Sequence, residues 1–209
     1  VGLTDLSNVF GAVKFYKKAI DKKIKPLIGC DVWLQNEKNR EQPYRILILC
    51  QSQAGYLNLS RIISKSFLEN QYKGRAEIKS SWLLDEFNAG LIVLSGGVQG
   101  EIGQLVLNDK TEEASETALK WQQKFGDRFY LELQRYAEGK AYDDQERYIQ
   151  HALHLASENE IPVVATHPIQ FMQEEDFRAH ETKTCIAEGY VLADSRRPKT
   201  FSSNQFFKN

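Results

Sequence analysis

Cysteine, proline and methionine are scarce in this chain, at three, five and one among 209 residues, and neither sign of charge is in excess. Each shortage excludes a class of protein. Cys30, Cys50 and Cys185 are odd in number, far apart and without a C-x-x-C pair, so neither a disulfide framework nor a structural zinc module is expected. A reducing, cytoplasmic setting suits that usage. No window approaches the ~20 apolar residues that cross a bilayer, and no signal peptide opens the chain, so no membrane contact is expected. Lys and Arg number 27 against 28 Asp and Glu, which provides no global field for a nucleic-acid backbone.

What is present is a 42% hydrophobic complement, enough for one sizeable core in a single larger domain. The opening "VGLTD" reads as the tail of a strand and the close "NQFFKN" as part of an apolar segment, so the chain is expected to be a fragment cut at both ends. Short apolar runs recur at 26–30, 44–50, 90–96, 129–133 and 162–166, with the Val, Ile and Leu content of buried strands. Between them lie stretches of helical period. Val9, Val13, Tyr16 and Ile20 share one face after a candidate Ser7 cap, with Lys14, Lys17, Lys18 and Lys22 elsewhere. Further helices are expected at 53–69, 80–88, 111–125, 143–159 and 174–187, and linker-like composition at 35–43 and 136–144. Strand then helix, repeated five or six times, is the pattern of an α/β fold whose site lies at the carboxyl ends of the strands.

Those strand ends carry Thr4-Asp5-Leu6, Gly29-Cys30-Asp31, Cys50, Ser95-Gly96-Gly97, Gln134-Arg135-Tyr136 and Thr166-His167-Pro168, with Tyr44 and Arg45 early in their strand. A hydrolytic metal centre needs several His and carboxylate ligands converging, and these ends offer two Asp and one His. Asp5 stands where a cap or loop anchor would, His167 where a hydrogen-bonded loop histidine would, and Asp31 is the best single ligand candidate. Cys30 and Cys50 read as small buried residues. "LSGGVQGEIG" lacks the Lys-Ser/Thr of a phosphate loop and the spacing of a dinucleotide site, so it reads as a tight strand-to-helix turn. The basic helix 14–25 and "DSRRPK" at 194–199 read as solvated faces, with a salt-sensitive DNA contact as the alternative for the helix.

Taken together, "LTDLSNVFGAVKFYKKA", "IKPLIGCDV", "GYLNLSRIISKSF", "GLIVLSGGVQGEIG", "FYLELQR", "IPVVATHPIQF" and "DFRAHETKTCIAEG" resemble successive blocks of the PHP (polymerase and histidinol phosphatase) domain of bacterial replicative polymerase alpha subunits. The resemblance implies a distorted seven-stranded (β/α) barrel, truncated at its N-terminal edge, whose metal-binding relatives hold a trinuclear cluster. It implies a parent that is a magnesium-dependent DNA-directed DNA polymerase, with the epsilon proofreading subunit and the rest of the holoenzyme as partners. The metal positions are altered. The first histidine pair would precede Val1, and the ligand after Asp5 is Leu6. Asp31 replaces a glutamate, and Arg45, or Tyr44 on a shift of one, replaces a histidine. Gly97 stands for a cysteine, Tyr136 for a histidine, and Pro168 and Gln170 for an Asp-x-His pair, with His167 beside them. A non-catalytic scaffold is therefore expected, with Arg45 pairing with Asp31 in the vacated space. Residual ligands would be Asp31 and His167, and Tyr72, Trp82 or Trp121 could anchor a partner unless core packing takes them. The rival is a metal-dependent phosphoesterase or 3'-5' exonuclease using upstream histidines with Asp5, Asp31 and His167.

Overall fold

A computed structural model describes residues 1–136 and 139–208. Its sheet is built from β1 (Gly2–Leu3), β2 (Leu27–Leu34), β3 (Tyr44–Cys50), β4 (Gln71–Tyr72), β5 (Arg75–Ile78), β6 (Leu91–Leu94), β7 (Phe129–Leu133) and β8 (Val163–Ala165). The order is β4-β5-β2-β3-β6-β7-β8, with β1 beside β2. Pairings β1–β2, β2–β5, β6–β7 and β7–β8 are parallel, whereas β3 is antiparallel to both β2 and β6, so every strand except β3 and β4 points one way. This is a parallel-rich α/β sheet, consistent with the barrel that the resemblance implies. Among the described residues its ladder does not close β8 onto β1.

Among the described residues the α-helices are α1 (Ala12–Asp21), α2 (Gln53–Glu69), α3 (Glu101–Leu107), α4 (Thr111–Phe125), α5 (Lys140–Asn159) and α6 (Phe177–Glu188). Alternation along the strands sends Cys30, Val32, Leu34, Ile46, Ile48, Val93, Phe129 and Leu131 to one face. There they meet Leu59 and Ile62 of α2, Ile102 of α3, Trp121 and Phe125 of α4 and Tyr148 of α5 in one core. The opposite face carries Asp31, Trp33, Arg45 and Glu132, and the functional question is about that face.

Several expectations are corrected. Ser7 is not a cap: its φ is 56°, its hydroxyl is buried without a partner, and α1 starts only at Ala12, because Asn8 makes the turn by accepting from the Phe10 N–H at 3.1 Å. The buried face of α1 is Ala12 and Ala19, so Val13, Tyr16 and Ile20 are exposed. The helix expected at 80–88 contains a π turn over Trp82–Glu86. Its smaller rotation per residue keeps Trp82, Leu83 and Leu84, three consecutive side chains, in the core. Trp82 and Trp121 are 6% and 3% exposed, so neither is free to anchor a partner. Cys50 is only half-buried.

The stretch 35–43 is no free linker. Asn36 accepts from the Lys38 and Asn39 N–H groups at 3.0 Å each and donates to the Gln42 carbonyl at 2.9 Å. Of the second linker-like stretch, residues 137 and 138 lie outside the described residues. Among the described residues no helix is long and apolar enough to cross a membrane.

Candidate functional site

Asp31 reaches the inner face because β2 alternates, with Cys30 and Val32 turned to the core. β3 runs the other way with Arg45 opposite Trp33, which brings the guanidinium one row from Asp31. Arg45 Nε donates to Asp31 Oδ1 at 2.9 Å and Nη2 donates to Oδ2, a bidentate fork. Burial pushes the Asp31 carboxyl above its ordinary range, and the Arg45 bonds oppose that shift. A neighbouring thiol feels the same environment. Cys30 is pushed up to about 12, chiefly by burial and then by the Asp31 charge.

A second carboxylate, Glu132, faces inward from β7 and is 1% exposed. Thr166, just past β8, donates its hydroxyl to Glu132 Oε1 at 2.5 Å, and Gln134 Nε2 donates to the same oxygen at 3.1 Å. Burial raises this carboxyl; the Thr166 bond lowers it, and the Asp31 charge raises it further. Behind it the Ser95 and Tyr148 hydroxyls lie 3.0 Å apart, with Tyr148 donating to the Glu132 carbonyl and Ser95 accepting from the Glu132 N–H. Tyr136 sits within electrostatic reach of Arg45, Glu132 and Asp31, its phenol raised mainly by burial.

The remaining expected positions do not converge as donors. Asp5 and Leu6 are exposed; Asp5 contributes its backbone carbonyl, which accepts from the Asp31 N–H at 3.2 Å. Gly97 has φ 57°, and a Cβ there would meet Gln134 Oε1 at 3.4 Å. His167 Nε2 is 3.1 Å from the Phe206 carbonyl, as a loop histidine would be. Pro168 offers only its carbonyl, taken by Gln205 Nε2 at 3.2 Å, and the Gln170 N–H bonds the Gln205 carbonyl at 2.8 Å. A trinuclear metal cluster of the kind the resemblance implies does not fit these donors. An arginine already occupies both oxygens of Asp31, and among the described residues no three His, Cys, Asp or Glu side chains gather.

Sequence reading missed Glu132 as a member of this face. The available signal was an acid between Leu131 and Leu133 in an apolar run, since period-2 alternation puts such a residue opposite the core. Gln134 and Thr166 stood among the strand ends but had no role without the register that joins them.

The profile of the PHP domain family matches residues 1–136. The DNA polymerase III subunit alpha of Neisseria meningitidis serogroup A is 42% identical over 208 residues, covering 99% of this chain and 18% of that protein. Those of Pseudomonas fluorescens and Vibrio cholerae are each 40% identical over 209 residues, all of this chain, and 17% and 18% of theirs. The chain spans less than a fifth of the length of these relatives.

Proposed function

The chain belongs to the PHP domain family, and from that premise we propose that it is a non-catalytic scaffold domain, spanning residues 1–209, within a replicative DNA-directed DNA polymerase. The observation that carries this reading is the Asp31–Arg45 fork: the cation facing the carboxylate is a guanidinium supplied by the protein. A guanidinium offers donors only and cannot polarise a phosphoester oxygen while also activating water as a metal does. Catalysis, with its magnesium requirement, then belongs to other parts of the parent, working in the cytoplasm.

As a scaffold, the domain supports the polymerase and docks the epsilon proofreading subunit. The edges of β1 and β8 left unpaired among the described residues, together with the exposed apolar stripe of Phe10, Val13, Tyr16, Ile20 and Ile24, are surfaces that further parts of the parent would cover.

The test is a 3'-5' exonuclease and phosphomonoesterase assay of the parent polypeptide without its proofreading partner, beside an Asp31→Asn, Glu132→Gln variant. Equal background in both is expected. Hydrolysis that the two substitutions abolish would contradict the reading.

A further inference from the structure

The inner face holds a second charged group one row of the sheet from the first. Glu77 is fully buried on β5 and receives two arginines. Arg75 donates to Oε1 through Nε at 2.9 Å and Nη2 at 2.7 Å, and Arg40 donates to Oε2 through Nε at 3.1 Å and Nη2 at 2.9 Å. Arg75 also holds the Arg40 carbonyl at 2.6 Å, and Arg40 reaches Asn70 at 3.2 Å. Because Arg40 lies in the 35–43 loop, this group ties that loop to the sheet.

Trp33 stands between the two groups. It pairs with Arg45 on β3 and with Glu77 on β5 in one row across three strands. The Arg45 guanidinium lies 4.6 Å from the indole centroid and that of Arg75 lies 5.5 Å from it. Both distances are inside the cation–π range, and each cation also binds a carboxylate, Asp31 for Arg45 and Glu77, shared with Arg40, for Arg75, which lessens the repulsion between the two charges on one ring. Among the described residues the side-chain hydrogen bonds of Asp31–Arg45 and of Arg40–Glu77–Arg75 do not meet, which leaves Trp33 as their common contact.

We propose that Trp33 is a brace that couples the two ion-pair groups, so that the conformation of the 35–43 loop depends on Arg45 without a hydrogen bond between them. The brace fastens β3, β2 and β5 to one another on the inner face. It also sets one wall of the cleft of about 1410 Å³ that Trp33 and Arg45 share with Lys38, Tyr44, Glu101 and Lys120. The proposal does not depend on whether the domain is catalytic.

Hydrogen exchange of the parent polypeptide, read by mass spectrometry over residues 31–50 and 70–78, tests it. Arg45→Met and Trp33→Leu should each speed exchange of the 35–43 amides about tenfold, the size of a desolvated cation–π contact. Trp33→Phe, which keeps a π face, should restore most of the protection. Arg135→Met, which breaks the separate Arg135–Glu146 pair, should leave the loop unchanged. Faster exchange confined to residues next to 31 and 45, or Trp33→Phe protecting the loop no better than Trp33→Leu, would overturn the brace.

Discussion

Arg45 and Asp31 meet with 19% and 24% of their side chains exposed, too buried for solvent to replace either partner cheaply. Arg45→Met should therefore destabilise the fold by about 2–3 kcal/mol, below the full cost of a dry ion pair because some water remains. Adding Asp31→Leu to that variant should recover most of the loss, since the orphaned carboxylate is then gone; chemical denaturation of the three proteins measures both steps. Glu132 gives a pH signature of definite sign. Its folded carboxyl is raised, mainly by burial, so its contribution to stability is complete below the unfolded glutamate range near 4.5 and is lost as pH rises through the folded value. Denaturation midpoints between pH 4 and pH 8 should fall with pH from this group, and Glu132→Gln should flatten that slope. Cys30 supplies a simpler check. With its thiol pushed up to about 12, it should resist alkylation at pH 8 in the native protein and react once unfolded.

At the scale of elements, close backbone approaches position the site as firmly as its side chains do. The turn after β6 passes so near β3 that a Cβ on Gly96, where φ is 80°, would fall 2.2 Å from the Arg45 carbonyl. One on Gly100 would fall 1.8 Å from the Ser95 carbonyl. Gly100→Ala should cost about 3 kcal/mol in a thermal or denaturant melt, the upper range of overpacking, because the obstacle is backbone. Ser52, by contrast, only caps α2 through the Gly55 N–H at 3.2 Å, and Ser52→Ala should cost about 1 kcal/mol. These elements differ in how plainly the sequence announces them. Runs such as "YRILILC" and "FYLEL", and the period of α2 and α4, carry their own signal. The β4–β5 hairpin does not, because Arg75 and Glu77 satisfy each other and the polarity of "GRAEI" hides a strand. α1 misleads for a different reason: periodicity predicts a face, and only packing tells whether that face is covered.

For the molecule as a whole, the resemblance announced the family and the pairing of Arg45 with Asp31, whereas the other contacts that fill the inner face were not legible. Glu132–Thr166–Gln134, Arg40–Glu77–Arg75 and the Trp33 contacts join residues far apart in the chain, so they exist only once the strands are in register. The resulting face has no excess of negative charge: Asp31 and Glu77 meet three arginines, Arg45, Arg40 and Arg75, and Glu132 is held by neutral donors with its carboxyl raised. Such a face has no unmet negative charge to draw in a cation, which is the physical content of a scaffold reading. The most direct measurement is a calorimetric titration of Zn2+ into the parent polypeptide and into its Asp31→Asn variant. The account predicts the same isotherm for both, with no site that depends on Asp31. A stoichiometric site of micromolar or tighter affinity that Asp31→Asn removes would contradict it and return the domain to the metal-dependent hydrolases.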